Sequence, residues 1–244
     1  MHMARRPRKA RARRLWAFAL AGAVALVAYS CAGSRIPEGG VREGVRYWRV
    51  TRSQPRPLRL HHLRVDLQSP QIEVAAVVTN DPDGNGPAEA RLVDPLEMAR
   101  REQVLGLVNA NAFGRVSQKQ LRTWTENMPV TVSGLAVSDG RLRSPPEKGR
   151  AAFWLAAGGI PRFGAPADVT GIRQGVAGFG MLLRDGQTVC RPGGRRHPRT
   201  AVGADESGRW LFLVVVDGRQ EGFSEGMTTF ELAAYMRQLG CHDA

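Results

Sequence analysis

The sequence predicts an α+β fold: a strand-rich mixed sheet core with at least two helices packed on it, preceded by an N-terminal signal segment. Three observations predict it. Several apolar runs follow the two-residue period of a strand. Leu211 to Val216 is apolar on both parities, as a strand covered on both faces requires. Two helix-start signals, at Asp94-Pro95 and at Thr228 with Glu231, stand apart from those runs.

The leader comes first. Seven of the 35 Lys and Arg lie in residues 1–30, which hold no acid. Leu15 to Ala28 is then apolar without interruption, and small residues follow from Ser30 to Ser34. A helix needs roughly 20 apolar residues to span a bilayer. A basic run, a short apolar run and small residues fit an export signal over residues 1–31; an uncleaved anchor is the alternative. Cys31 stands where a lipidated cysteine would. Ala28-Tyr29-Ser30 before it lacks the leucine that usually opens such a site, so lipidation at Cys31 stays open. The expected location is outside the cytoplasm: periplasmic, membrane-anchored or extracellular. The membrane would then be a partner through this signal or a lipid.

Residues 32–44 are rich in Gly and charge and read as a linker. Residues 45–244 suffice for one domain with its own core. The formal charge of +13 is concentrated in the leader: removing its seven cations leaves 28 bases against 22 acids, or +6. That modest excess, with no interleaving of basic and aromatic residues, argues against nucleic acid as a partner.

Within the domain, Tyr47 to Val50 reads as extended, and Leu58 to Leu67 alternates. Ile72 to Val78 is a second strand, closed by the turn formers of residues 80–84. Asp94 caps a helix with Pro95 at its first position, running to Arg101. Val104 to Val108 is a buried strand leading into Asn109-Ala110-Asn111-Ala112-Phe113. Val130 to Val137 is another, turning at Asp139-Gly140. Val176 to Arg184 and Gln187 to Cys190 flank the hairpin signal Asp185-Gly186. Thr200 to Ala204 and Trp210 to Val216 flank a second turn. Thr228 and Glu231 form a capping box for a helix stopped by Gly240.

Chemistry concentrates in three places. Arg191 to Arg199 holds four arginines and His197 beside Gly193-Gly194. Guanidinium groups grip phosphate with paired hydrogen bonds, and glycines let backbone N–H groups approach the same anion. Arg199 opens a strand, where it can be held rigidly. Asp217-Gly218-Arg219 puts a carboxylate at the end of a buried strand. Asn109 and Asn111 follow another, where amides can hold a sugar hydroxyl. His61-His62 are adjacent, point to opposite faces and read as incidental. No His/Cys/Asp/Glu set has metal-ligand spacing, and no cofactor is expected; whether the chemistry uses a metal stays open. Cys190 and Cys241 could close a loop of about 50 residues, stabilising by about 3–4 kcal/mol, or stay as thiols; both readings stand.

These stretches, in this order, resemble the phosphodiester glycosidase family. The matching residues are Val108-Asn109 to Phe113, Arg199-Thr200-Ala201-Val202-Gly203, Leu213 to Arg219, and Ser224 to Thr228 with the helix at Phe230 to Ala233. The resemblance covers roughly Val45 to the end. It departs at Gly114, where members carry an acid. Members also continue past the helix into a strand ending Asn-Leu-Asp-Gly-Gly-Gly-Ser, whereas this sequence ends at Ala244, so a C-terminally incomplete domain is expected. The resemblance implies a hydrolase for sugar-1-phosphodiester linkages in envelope or extracellular glycans, or an inactive relative that binds them. It implies Asp217 and Arg199 as catalytic groups sharing one pocket. It implies Asn109, Asn111, Thr200, His197, Gly218 and Arg219 as substrate-binding groups.

Overall fold

The computed structural model describes residues 24–30, 41–79, 90–117, 119 and 123–244. The basic run, Cys31, most of the linker and the turn at residues 80–84 lie outside the described residues.

One five-stranded sheet organises the molecule. Its order is β17 (Arg199–Ala204), β18 (Trp210–Val216), β4 (Leu58–Asp66), β3 (Val45–Arg52), β2 (Val41–Arg42). A second five-stranded sheet runs β11 (Arg141–Ser144), β10 (Ala136–Ser138), β14 (Gln174–Ala177), β12 (Ala152–Leu155), β13 (Pro161–Gly164). Two three-stranded sheets accompany them: β5 (Ile72–Val78), β1 (Val24–Ser30), β7 (Gly106–Asn109), and β6 (Ala90–Arg91), β9 (Pro129–Val132), β8 (Phe113–Arg115). A small hairpin joins β15 (Leu183–Arg184) to β16 (Gln187–Thr188) at Asp185-Gly186. The helices are α1 (Pro95–Arg101) and α2 (Thr229–Gln238).

The strand-rich α+β class stands, with antiparallel rather than mixed pairing among the described strands. Short hairpin links such as the turn after Ala204 require it of the strands they join, because a parallel pair needs a long crossover. Residues 24–30, which the sequence places in the leader, pair with β5 and β7. Among the described residues no helix is long and apolar enough to cross a membrane.

β18 is central, and its alternation divides the core. Leu211 and Leu213 enter one buried cluster with Leu63, Val65, Phe153 and Val176. Phe212, Val214 and Val216 enter another with Leu58, Leu60 and α2 residues Leu232, Ala233 and Met236. Burying such side chains stabilises by about 1.5–3 kcal/mol each. Both helices start as the sequence predicts. Asp94 accepts N–H bonds from Leu96 and Glu97, and Thr228 with Glu231 completes its capping box.

Two expected strands are each broken in two. Val130 to Val137 is interrupted at Ser133 to Leu135, where the Asn111 amide donates to the Ser133 and Leu135 carbonyls. Val176 to Arg184 ends as a strand at Ala177 and resumes at Leu183.

Candidate active site

The main sheet's register fixes which side chains share a face. Arg49, His61, Val215 and Thr200 form one cross-strand row. Val50, Leu60, Val216 and Arg199 form the next. Successive residues of a strand point to opposite faces. Thr200 and His61 therefore lie on one face, and Arg199 lies on the face covered by α2.

Asp217 continues β18 by one residue. Its N–H donates to the Arg59 carbonyl at 3.0 Å. The return bond runs through a side chain: Arg59 N–H donates to Ser224 Oγ at 3.0 Å, and that hydroxyl donates to the Asp217 carbonyl at 2.7 Å. Ser224 is fully buried. Its hydroxyl thus extends the ladder past the strand end and holds Asp217 in place. The Asp217 carboxylate joins the His61 face, with Oδ2 3.6 Å from His61 Nε2. The other imidazole nitrogen, Nδ1, is 2.8 Å from the Tyr47 hydroxyl. Close by on the same face, Thr200 Oγ1 donates to Asn109 Oδ1 at 2.7 Å.

Past Gly218 the chain turns, and Arg219 sits at φ 58. Its guanidinium donates to His197 Nδ1 from Nη2 at 2.9 Å and Nε at 3.2 Å. An Nδ1 that accepts leaves the ring proton on Nε2, directed elsewhere. Desolvation, then the charges of Arg219, Arg199 and Arg195, hold the His197 pKa below its ordinary value. Two glycines clamp this region. A Cβ at Gly218 would lie 2.5 Å from Pro198 N, and one at Gly226 (φ +89) would lie 2.4 Å from the His197 carbonyl. Glycine is therefore required at both places. The result is a shallow depression of about 690 Å³ lined by residues 193–197, Arg219, Glu225 and Thr228. Arg196 approaches Glu225 at 3.5 Å.

Three expectations are corrected here. Arg199 and Asp217 do not share one pocket. Arg199 pairs with Val216, one residue before Asp217, so the pleat separates the two side chains. The Arg199 guanidinium donates to the Met227 and Arg195 carbonyls and braces the backbone. Burial and the nearby Arg219 hold its pKa below the usual value. The cations that line the depression are Arg219, two residues beyond Asp217, with Arg195 and Arg196. Asn111, expected to bind substrate, is instead buried and bonded to the backbone of Ser133, Leu135 and Ala177. His61 is not incidental, since it is the group that meets Asp217. The other named residues, Asn109, Thr200, His197, Gly218 and Arg219, do gather at this sheet end.

Cys190 and Cys241 are free thiols. Cys241 Sγ packs on Gly203, and burial with the Asp205 charge pushes its pKa up to about 12. For a metal, Asp185, His242 and Asp243 bring ligand atoms within 4.8 Å of one another, a grouping that sequence spacing hides. Two carboxylates and an imidazole are a ligand set for a divalent cation. Here Asp243 already accepts the Asp185 N–H at 3.2 Å and contacts His242 at 3.3 Å.

The sequence profile of the phosphodiester glycosidase family matches residues 75–244. The chain belongs to that family. Within the phosphodiester glycosidase domain lie Asn109, Arg199, Asp217 and Arg219; Tyr47 and His61 precede the matched span. Among solved structures, the chain is similar to the catalytic domain of zebrafish N-acetylglucosamine-1-phosphodiester alpha-N-acetylglucosaminidase auto-inhibited by its pro-peptide. The TM-score is 0.56 at 18% identity, covering 89% of this chain and 73% of that one. It is also similar to a hypothetical protein from Synechocystis, with TM-score 0.56 and 14% identity. That match covers 82% of this chain, which spans only 55% of the Synechocystis protein. These likenesses show the fold. No curated protein matches the chain.

Proposed function

We propose that this phosphodiester glycosidase domain hydrolyses a sugar-1-phosphodiester, with the phosphate on the Arg219–His197 side of the turn and the sugar on the Asp217–His61 side. One observation carries the reading. The Asp217-Gly218-Arg219 turn holds a carboxylate beside an imidazole on one flank and a guanidinium beside a cationic depression on the other. The bond between the anomeric carbon and the phosphate oxygen breaks with its electron pair leaving on phosphate. Phosphate is a weak base, so anion stabilisation matters more than proton donation to the leaving group. Arg219, the His197 Nε2–H and the backbone at Gly193-Gly194 supply that stabilisation. A carboxylate at Asp217 stabilises the positive charge that develops on the sugar ring. Asn109 and Thr200 hold sugar hydroxyls.

The test is turnover of a chromogenic sugar-1-phosphodiester by the full chain. Asp217→Asn and Arg219→Ala should each lower kcat/KM by roughly 100-fold or more; unchanged values would remove both from the reaction. A glycan-binding relative without turnover is the second reading. It is favoured by the sugar-side flank, where Asp217 is the carboxylate placed beside His61, whereas glycosidases generally use a pair of acids. Saturable binding of the same compound with no release of chromophore would support it.

Export belongs to the same proposal, with residues 1–31 as signal, 32–44 as linker and 45–244 as the domain. Its natural substrates would then be phosphorylated glycans of the envelope or exterior. The pairing of residues 24–30 with β5 and β7 favours retention of that segment over its removal. N-terminal sequencing of the protein recovered from cell fractions separates the two outcomes.

A further inference from the structure

We propose that His61 is the general base of this reaction, taking the proton of the attacking water at Nε2, with Tyr47 orienting the ring through Nδ1. The inference rests on the hydrolase reading above. It adds a catalytic group that the family match does not reach, because His61 and Tyr47 precede residue 75.

The histidines near this sheet end differ in what their ring nitrogens meet. His62 is buried, with Nδ1 on the Trp48 carbonyl and Nε2 on the Tyr235 hydroxyl. His197 has its acceptor nitrogen engaged by Arg219. Neither has a lone pair to offer a substrate water. His61 does: its Nδ1 meets the Tyr47 hydroxyl at 2.8 Å, and its Nε2 faces Asp217. In the tautomer whose Nδ1–H donates to the Tyr47 oxygen, Nε2 carries the lone pair that general-base catalysis needs.

The 3.6 Å between Nε2 and Asp217 Oδ2 is too long for a direct hydrogen bond. It suits a water oxygen about 2.8 Å from each. Such a water donates one proton to Nε2 and the other to the carboxylate. Both side chains are about one-third exposed, so a substrate can reach that water. The step balances. The water oxygen bonds to the anomeric carbon, the bond from that carbon to the phosphate oxygen breaks, and phosphate leaves with the electron pair. The water proton stays on Nε2, where the Asp217 carboxylate stabilises the imidazolium, and passes afterwards to solvent. The charged groups facing His61 are Asp217 from the end of β18 and Arg49 directly across on β3, with Arg59 two residues along its own strand. Tyr47 is the titratable hydroxyl behind it.

Two arms test this. In the first, wild type and His61→Ala are compared on the chromogenic sugar-1-phosphodiester, with and without free imidazole. The expected result is a roughly 100-fold loss of kcat, partly restored by imidazole. Full activity in His61→Ala, or a loss that imidazole does not restore, overturns the proposal. The second arm needs no turnover: the ring-nitrogen NMR shifts of His61 in wild type, Asp217→Asn and Tyr47→Phe. The Nε2 signal should move when Asp217 loses its charge, and the Nδ1 signal when the Tyr47 hydroxyl is removed. Shifts unchanged in both variants would overturn the dyad. An inert wild type whose His61 signals respond to both variants would instead refute the hydrolase reading and leave a charge-coupled binding site.

Discussion

His61 and His62 are neighbours on one strand, yet the two faces of the sheet give them opposite lives. His62 enters the α2 face. It stacks on Trp48 with ring centres 4.6 Å apart and planes 6° from parallel, and the Tyr235 hydroxyl meets it at 2.8 Å. Every polar atom of that imidazole is bonded inside the protein. His61, one residue earlier, faces Tyr47 and the partly exposed Asp217, and its Nε2 reaches no closer than ion-pair distance to that acid. The difference teaches that residue type does not assign a role here. A saturated set of buried bonds makes a structural histidine, whereas an unsaturated set at a solvent edge leaves chemistry free to happen.

The comparison can be broken most strongly at His62. His62→Ala strands the Tyr235 hydroxyl and the Trp48 carbonyl in the core. It should cost about 3 kcal/mol in urea unfolding. A loss under about 0.5 kcal/mol would mean the network is not holding α2 to the sheet. Next in size is Ser224→Ala, which leaves Arg59 N–H and the Asp217 carbonyl without their shared partner. It should cost about 2 kcal/mol and loosen the Asp217 turn, seen as faster amide exchange at Asp217 to Arg219.

A smaller effect sharpens the contrast through pH. Burial, helped by the charges of His61 and Arg52, holds the His62 pKa below its usual 6.5 against the pull of the Trp48 carbonyl. The unfolded chain therefore binds a proton that the folded chain refuses. Stability is full above about pH 6.5 and falls as pH drops below it, by at most about 1.4 kcal/mol per pH unit. Melting temperatures between pH 7.5 and 5 should show that slope, and His62→Gln should flatten it. The smallest expected effect is that of His61→Ala on stability, under about 0.5 kcal/mol by urea unfolding. A large loss there would make His61 a second structural histidine.

Much of the scaffold was legible before any coordinates. The caps of both helices sit at Asp94 and Thr228, because capping depends on bonds within a few residues. The hairpin at Asp185-Gly186 and the doubly covered strand at Leu211 to Val216 depend on equally local rules. The site was only partly legible. The carboxylate at Asp217 could be seen at a strand end. The pairing of Arg199 with Val216, which sends that arginine to the other face, could not. Asn111 read as a substrate-binding amide, because nothing near it in sequence reveals the Ser133 and Leu135 carbonyls that absorb it. The short strands between Arg141 and Gly164 carry too few residues for a period to declare itself.

By itself, then, the sequence determined where both helices start, where the Asp185-Gly186 hairpin turns and how side chains alternate along the longer strands, since capping, turn sterics and i-to-i+2 alternation are intrinsic to a segment. Tertiary structure alone decided which strands lie side by side and in what register. That choice depends on packing two apolar faces at once against partners far away in the chain. It set His61, rather than Arg199, beside Asp217.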